Sequence, residues 1–224
     1  MREYIKITTL WGREDKKPHN MVIGQYARPE FELLKDVEWT FTEKVDGTNI
    51  RVMWDGNRVT FGGKTDNAQL PTPLFYALEE LFAGQANEQK FEEIFGSDPV
   101  CLYGEGFGNK IQAVGKLYNP EGVDFVLFDV KIGSFWLERA NLEDIATKLD
   151  IKIVPIKLKG TLQEASDMVA KGFKSDYGDL KSEGLVGTPS VPLLNRKGER
   201  IITKIKSRDY DKLKELNKKK KGIK

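Results

Sequence analysis

The chain has only one cysteine, Cys101, and one histidine, His19, among its 224 residues. A single cysteine excludes an intramolecular disulfide, and without a cysteine pair or a second histidine the spacing of a zinc site is missing. No apolar run approaches the length of a membrane span, and the N-terminus lacks the apolar core of a signal peptide. We therefore expect a cytoplasmic protein that does not bind a membrane and whose chemistry uses neither cysteine nor histidine.

An excess of charge of one sign is also missing. Lysine and arginine total 36 against 34 aspartate and glutamate, which gives a net charge of +2 and indicates little about a partner. The distribution is uneven, because four lysines at 218–221 and Lys224 make the C-terminal end basic. Such an end can contact phosphate, or it can be a solvated end of the chain.

What is present is a mixture of strand and helix patterns. Strands are predicted at 39–45, 49–54, 58–62, 100–105, 124–130, 151–156, 184–187 and 200–206, and helices at 74–82, 91–95, 142–149 and 162–169. This intermixing predicts an α+β fold of antiparallel sheets flanked by helices. We expect one domain at 39–207, with 1–38 as an N-terminal elaboration of it and 208–224 as a short basic tail.

The stretch 43–49, Glu-Lys-Val-Asp-Gly-Thr-Asn, is the most informative. Asp46-Gly47 between two strand patterns is a typical hairpin signal, which places Lys44 where a strand ends. An isolated lysine at such a position is usually a solvated charge. The evidence that the Lys44 amine is reactive must therefore come from other residues.

Several more charged residues interrupt apolar, strand-like runs, where an unpaired charge is costly. They are Lys64, Glu105, Asp129, Glu183, Lys204 and Lys206. Lys204 and Lys206 have strand period and should point to one face. If that face meets Lys44, repulsion among three ammonium groups, together with burial, favours a neutral and nucleophilic amine. The carboxylates of Glu105 and Glu183 can bind a ribose hydroxyl or a divalent metal.

Five short motifs follow one another along the chain in an order that resembles a known group of enzymes. The lysine stretch is followed by Gly-Glu-Gly-Phe-Gly at 104–108, Phe-Asp at 128–129, Glu-Gly-Leu-Val at 183–186 and Lys-Ile-Lys at 204–206. This series, from about 39 to 207, resembles the covalent nucleotidyltransferases: ATP-dependent RNA ligases, DNA ligases and mRNA capping enzymes. With its Thr-Asn pair, the first stretch is most similar to RNA ligases related to the phage T4 nick-sealing enzyme. The resemblance implies an ATP-grasp-like nucleotidyltransferase domain.

The resemblance also implies roles for the residues that carry the chemistry. Lys44 is similar to the lysine that takes AMP as a phosphoramidate. Lys204 and Lys206 match the pair that contacts phosphate and assists catalysis. Glu183 matches the acidic residue near the metal.

The remaining matched residues would bind the nucleotide or the substrate. Glu43 resembles the residue that reads the adenine edge, Glu105 the ribose contact and Phe128 the aromatic ring stacked on adenine. Asn49 would support engagement of the RNA end. Lys64 stands where the family usually has an arginine, and lysine cannot form the planar fork of a guanidinium.

The implied activity is that of an ATP-dependent RNA ligase using Mg²⁺ or Mn²⁺. It would join 5′-phosphate and 3′-hydroxyl ends through a lysyl-AMP intermediate and an adenylylated 5′ end, with nicked or single-stranded RNA ends as partners. The alternatives are a minimal DNA ligase acting on DNA ends, a GTP-dependent capping enzyme and a non-catalytic nucleic-acid-binding module. The short stretch after Lys206 leaves no room for the OB-fold or helical domain of related ligases. The N-terminal segment, the short tail or a protein partner that the sequence does not identify would have to take the place of that domain.

Overall fold

The computed structural model describes residues 3–220 and Gly222. The strands are β1 (Thr8–Thr9), β2 (Trp11–Arg13), β3 (Met21–Tyr26), β4 (Trp39–Glu43), β5 (Thr48–Trp54), β6 (Val59–Gly62), β7 (Val100–Gly108), β8 (Val123–Ile132), β9 (Phe135–Trp136), β10 (Lys152–Ile153), β11 (Ile156–Gly160), β12 (Gly184–Pro189) and β13 (Thr203–Lys206). The helices are α1 (Pro29–Leu33), α2 (Thr72–Phe82), α3 (Gln85–Phe95), α4 (Gly115–Tyr118), α5 (Arg139–Leu149), α6 (Leu162–Lys171) and α7 (Ser207–Lys220).

The described chain forms two compact units. The first contains residues 3–5, Asp46–Val154 and Tyr177–Asp179, and the second contains Lys6–Val45, Pro155–Asp176 and the chain from Leu180 onward. Each unit is therefore assembled from separated stretches of sequence. The expected division into an elaboration, one domain and a tail stays a prediction.

The first unit is built on a sheet with the strand order β10-β8-β7-β5-β6, to which β9 adds by pairing with β8. Strand alternation sends Ile50 and Val52 to one face, where they pack with the apolar sides of α2, α3 and α5. Opposite that core, the register pairs Asn49 with Glu105 and Arg51 with Tyr103. The unit thus has one apolar face and one polar face.

The second unit is built on a sheet with the strand order β1-β13-β12-β4-β11. Its core contains Trp39 and Phe41 from β4, together with buried side chains of α6 and of Tyr210 on α7. The register pairs Val186 of β12 with Lys204 of β13 and with Thr42 of β4. These three positions alternate with core positions and so lie on the face away from the core.

The predicted α+β class, with antiparallel sheets flanked by helices, is confirmed, but the predicted hairpin at Asp46-Gly47 is wrong. Strand β4 pairs with β11 and β12, whereas β5 pairs with β6 and β7. A Cβ added at Gly47 would lie only 2.2 Å from the carbonyl oxygen of Gly106. The glycine therefore serves a close approach of two backbones.

Some predicted boundaries also differ. The strand expected at 151–156 is two strands, since β10 pairs with β8 and β11 pairs with β4. The predicted tail from 208 begins within helix α7, which agrees with its helix-like spacing of Tyr210, Leu213 and Leu216. Tyr210 is 4% exposed, and its hydroxyl accepts a hydrogen bond from Trp11 Nε1 at 2.9 Å. Lys221 and Lys224 of the predicted basic end lie outside the described residues. Within the described residues, no helix has both the length and the apolar character for a membrane span.

Candidate active site

In the second unit, Lys44 and Lys206 share one carboxylate. Lys44 Nζ lies 2.5 Å from Glu183 Oε2, and Lys206 Nζ lies 3.3 Å from Glu183 Oε1. The three side chains are only 13–21% exposed, so solvent screens the cluster weakly. We call these three residues the lysine cluster.

The backbone fixes this cluster from both sides. The Lys44 N–H donates to the Gly184 carbonyl at 2.9 Å, which extends the pairing of β4 and β12 by one residue. The Ser207 N–H donates to the Glu183 carbonyl at 2.8 Å, and Ser207 Oγ donates to the Ser182 carbonyl at 2.9 Å. The first residue of α7 therefore holds the backbone that carries Glu183.

Gly184, which follows Glu183, is required by close packing. Its φ is +147°, and an added Cβ would lie 1.9 Å from the carbonyl oxygen of Ile205. A side chain at this position would push β12 away from β13. The register pairs Gly184 with Lys206, so Glu183, the residue before this glycine, lies within reach of the Lys206 side chain.

The prediction that Lys204 and Lys206 share a face is confirmed by the strand register. The expected crowding of three amines has a different form, however. Glu183 pairs with both Lys44 and Lys206, so its negative charge offsets the repulsion between them. Lys204 lies on the same face, opposite Val186.

Glu43 points away from its neighbour Lys44. Its side chain is fully buried, and Oε2 accepts a hydrogen bond from the Asp176 N–H at 3.0 Å. Lys157 Nζ lies 4.0 Å from the same oxygen and 2.5 Å from Asp176 Oδ1. Among the described residues, Glu43 Oε1 has no hydrogen-bond partner although it is buried.

In the first unit, Asn49 and Glu105 are directly opposite each other on β5 and β7. Glycines flank Glu105 because a Cβ at Gly104 would lie 2.2 Å from the Phe125 ring, and one at Gly106 would lie 2.4 Å from Leu74. The Asn49 side-chain oxygen is buried without a partner among the described residues. Two of the predicted site residues are thus neighbours on the polar face.

Phe128 lies where the register of β7 and β8 shifts. Tyr103 pairs with Asp129 and Gly104 with Leu127, so Phe128 is the extra residue of a β-bulge. Its ring is 5.0 Å from that of Tyr4, and the Tyr4 hydroxyl donates to Asp129 Oδ2 at 2.8 Å. A bulge re-aims a side chain, which is a common device beside functional sites.

Lys64 is exposed in the turn after β6. Arg51, on β5, contacts this turn. Arg51 is 1% exposed, and its Nε donates to the Gly63 carbonyl at 2.8 Å. Its Nη2 lies 2.7 Å from Asp66 Oδ1. Arg51 therefore anchors the turn that carries Lys64.

Sequence reasoning missed four residues that contact predicted site residues or their loops: Tyr4, Arg51, Lys157 and Asp176. Arg51 has the signal used for the other charges, because it interrupts the apolar run of β5. Lys157 has the same signal more weakly, since Lys159 follows two residues later. Nothing in the local sequence marks Tyr4 or Asp176.

A divalent metal would find few ligands in the protein alone. Within the described part of the chain, no group of three or more histidine, cysteine, aspartate or glutamate side chains is arranged to hold an ion. Glu183 offers one carboxylate in the lysine cluster. This donor set suits Mg²⁺ or Mn²⁺ only when nucleotide phosphates and water supply the other ligands, as is usual for Mg²⁺.

Comparison with known proteins decides the family. The family model described as RNA ligase matches residues 37–206, which is well over half of the chain and includes every predicted site residue. The chain belongs to the RNA ligase family. No curated protein matches the chain.

Solved structures of Naegleria gruberi RNA ligase have the same fold as this RNA ligase family member. A lysine-to-alanine mutant with ATP and Mn matches with a TM-score of 0.65 at 18% identity, covering 95% of this chain and 62% of that one. A glutamate-to-alanine mutant with ATP and Mn gives 0.64 at 20% identity, with coverages of 92% and 61%. The enzyme with PPi gives 0.62 at 23% identity, with coverages of 84% and 55%.

The chain thus spans somewhat more than half the length of those ligases. The predicted resemblance to the nucleotidyltransferase-type RNA ligases and their fold is confirmed. The roles of the individual residues stay predictions.

Proposed function

We propose that this protein is an ATP-dependent RNA ligase that joins 5′-phosphate and 3′-hydroxyl ends through a lysyl-AMP intermediate. The observation that carries the proposal is the lysine cluster: a strand-end lysine held at 2.5 Å from a carboxylate that also pairs with Lys206. Family membership supports the reaction class. Naegleria gruberi RNA ligase is described with ATP and Mn and with PPi. ATP is the nucleotide donor expected for such a step, Mn is a suitable divalent metal, and PPi is the expected leaving group.

In the first step, the Lys44 nitrogen attacks the α-phosphorus of ATP. A P–N bond forms, the bond from the α-phosphorus to the bridging oxygen breaks, and pyrophosphate leaves with the electron pair. The Lys44 amine must lose a proton before it attacks, and Glu183 Oε2 is the acceptor within hydrogen-bond distance. Lys206 and Lys204 stabilise negative charge on the phosphoryl oxygens.

ATP and a divalent metal both suit the residues present. The buried, unpartnered Oε1 of Glu43 can accept a hydrogen bond from the amino group of adenine. Glu183 is the residue predicted to lie near Mg²⁺ or Mn²⁺. When bound, the metal neutralises charge on the phosphates.

The later steps use the same groups. AMP passes from Lys44 to a 5′-phosphate end, and a 3′-hydroxyl then displaces AMP and closes the strand. We assign Asn49 to the RNA end, Glu105 to the ribose, Phe128 to the face of adenine and Lys64 to a phosphate contact. A cytoplasmic location is part of the same proposal.

A label-and-chase experiment tests the proposal. Protein incubated with α-labelled ATP and Mg²⁺ should become labelled, and the label should move to a nicked duplex with a 5′-phosphate and then disappear as the nick is sealed. A nick whose 3′-hydroxyl strand ends in ribonucleotides should be sealed faster than one ending in deoxyribonucleotides, because a protein can read the terminal 2′-hydroxyl. Equal sealing of both nicks would favour the DNA ligase alternative, and absence of any label would overturn the proposal.

A further inference from the structure

Glu43, Lys157 and Asp176 form a second charged cluster in the second unit, here called the Glu43 cluster. Glu43 has no exposed side-chain surface, and the Lys157 side chain is 14% exposed. Lys157 Nζ also lies 5.6 Å from the centre of the Phe173 ring, a cation–π distance that further fixes the ammonium group. The cluster is therefore held on several sides.

The two oxygens of Glu43 differ in their environment. Oε2 accepts from the Asp176 N–H at 3.0 Å and faces Lys157 at 4.0 Å. Oε1 is shielded from water and has no hydrogen-bond partner among the described residues. A buried acceptor without a partner lacks a hydrogen bond that it would make in water. A ligand that donates a hydrogen bond to Oε1 therefore restores an interaction that the protein alone does not make.

The geometry points to Lys157 as the positioning residue that makes Glu43 select a 6-aminopurine over a 6-oxopurine nucleotide. By pairing with Oε2 and Asp176, Lys157 fixes the rotation of the carboxylate and leaves Oε1 as a lone acceptor. This inference rests on the proposed function, since it takes the bound base to be that of ATP.

The selection follows from hydrogen-bond chemistry. An ionised carboxylate only accepts hydrogen bonds, so it suits the 6-amino group of adenine. Guanine presents a carbonyl oxygen at the same position, which places two acceptors face to face and leaves both without a donor. A site that leaves a buried polar group unpaired rejects the wrong ligand strongly.

Four variants separate this role from a purely structural one. Glu43→Gln keeps the shape but adds a donor, so it can also satisfy a carbonyl oxygen. Lys157→Met removes the ammonium at similar length, and Lys157→Arg restores a cation. Lys159→Met is the matched control, because it removes one positive charge from an exposed position of the same strand, β11.

Two readouts are compared: the affinities for AMP and GMP by calorimetry, and the rates of covalent labelling from ATP and GTP. We expect the wild-type protein to prefer adenine in both. The preference should fall about 10- to 100-fold in Glu43→Gln and Lys157→Met, the range for loss of a hydrogen bond to a charged group. It should recover substantially in Lys157→Arg and stay unchanged in Lys159→Met.

An unchanged preference in folded Lys157→Met protein would overturn the inference, as would a wild-type protein that does not distinguish AMP from GMP. If Lys157→Met does not fold, Lys157→Gln, which also removes the positive charge but stays polar, is judged by the same criterion. Labelling by ATP and GTP at equal rates would overturn the inference but leave nucleotidyl transfer intact. Preference for AMP without labelling by ATP would overturn the proposed function alone.

Discussion

The sheets of the two units both carry charged side chains on the face away from their helices, but the charges are used differently. In the second unit, Lys44 and Lys206 pair with one shared carboxylate, Glu183. In the first unit, Arg51 binds the Gly63 carbonyl and Asp129 accepts from the Tyr4 hydroxyl. If the proposed function is right, one face uses its charges for chemistry, whereas the other uses them to fix loops and segments.

Replacing Glu183 should have the largest effect. In Glu183→Ala, Lys44 loses the carboxylate proposed to accept its proton, and the rate of covalent labelling by ATP should fall about 100- to 1000-fold, within the range for loss of a general base. The free energy of unfolding should fall by only about 1 kcal/mol, because the long lysine side chains can turn their ammonium groups toward water once the carboxylate is gone. Labelling kinetics and urea denaturation measure the two quantities.

Glu215→Ala, at an exposed position on α7, is the control for removal of one carboxylate. A Glu183→Ala protein that labels at the wild-type rate would show that the cluster only supports the fold.

Replacing Arg51 should have the opposite pattern of effects, with a large loss of stability and a small change in the labelling rate. In Arg51→Met, the Gly63 carbonyl loses its hydrogen-bond donor, and the turn that carries Lys64 is no longer held by Arg51. The free energy of unfolding should therefore fall by about 3 kcal/mol. The labelling rate of the protein that remains folded should change much less. Urea denaturation gives the loss of stability.

Arg58→Met serves as the control, because the Arg58 side chain is 69% exposed. If Arg51→Met loses labelling without losing stability, the contrast between the two faces fails.

Gly47→Ala tests the close approach of Gly47 to β7 within the first unit. The added Cβ would lie 2.2 Å from the Gly106 carbonyl oxygen, so the backbone must shift. We expect a loss of about 2 kcal/mol in the free energy of unfolding, as for other overpacked sites. Thermal denaturation measures it.

Gly122→Ala is the comparison for that variant, because there the Cβ would make an ordinary contact at 3.5 Å. Equal melting temperatures for the two variants would refute the account of Gly47.

The smallest effect concerns Cys101, on the same sheet face as Arg51. Burial raises the pKa of the Cys101 thiol to about 11. Since the folded state holds this proton more tightly than the unfolded state, its contribution to stability is complete below about pH 9 and is lost as the pH rises to about 11. By pH 10 the loss should be about 1 kcal/mol.

The pH dependence of stability in Cys101→Ala isolates this term, because the other titrating groups are common to both proteins. Parallel curves for the wild type and the variant between pH 8 and pH 10 would contradict the assignment.

Sequence reasoning succeeded where a local pattern fixes the structure. The strand period of Lys204 and Lys206 was enough to place them on one face. It failed where distant segments meet. The Asp-Gly signal at Asp46 is compatible with both a hairpin and a crossing between sheets, and only the pairing partners of β4 and β5 distinguish them.

The candidate site shows the same limit. The order of the motifs was enough to indicate the family, but the sharing of Glu183 depends on the register of β12 and β13 and on the bonds from Ser207. The link from Asp176 to Glu43 joins residues 133 positions apart, and no local periodicity encodes such a contact.

Mapping the covalent adduct tests the central claim most directly. Protein incubated with ATP and Mg²⁺ would be digested, and the peptide carrying AMP would be sequenced by mass spectrometry, with Lys44→Ala protein treated in parallel. We predict AMP on Lys44 of the wild type and no adduct on the variant. AMP on another residue, or an equally modified Lys44→Ala protein, would contradict the account.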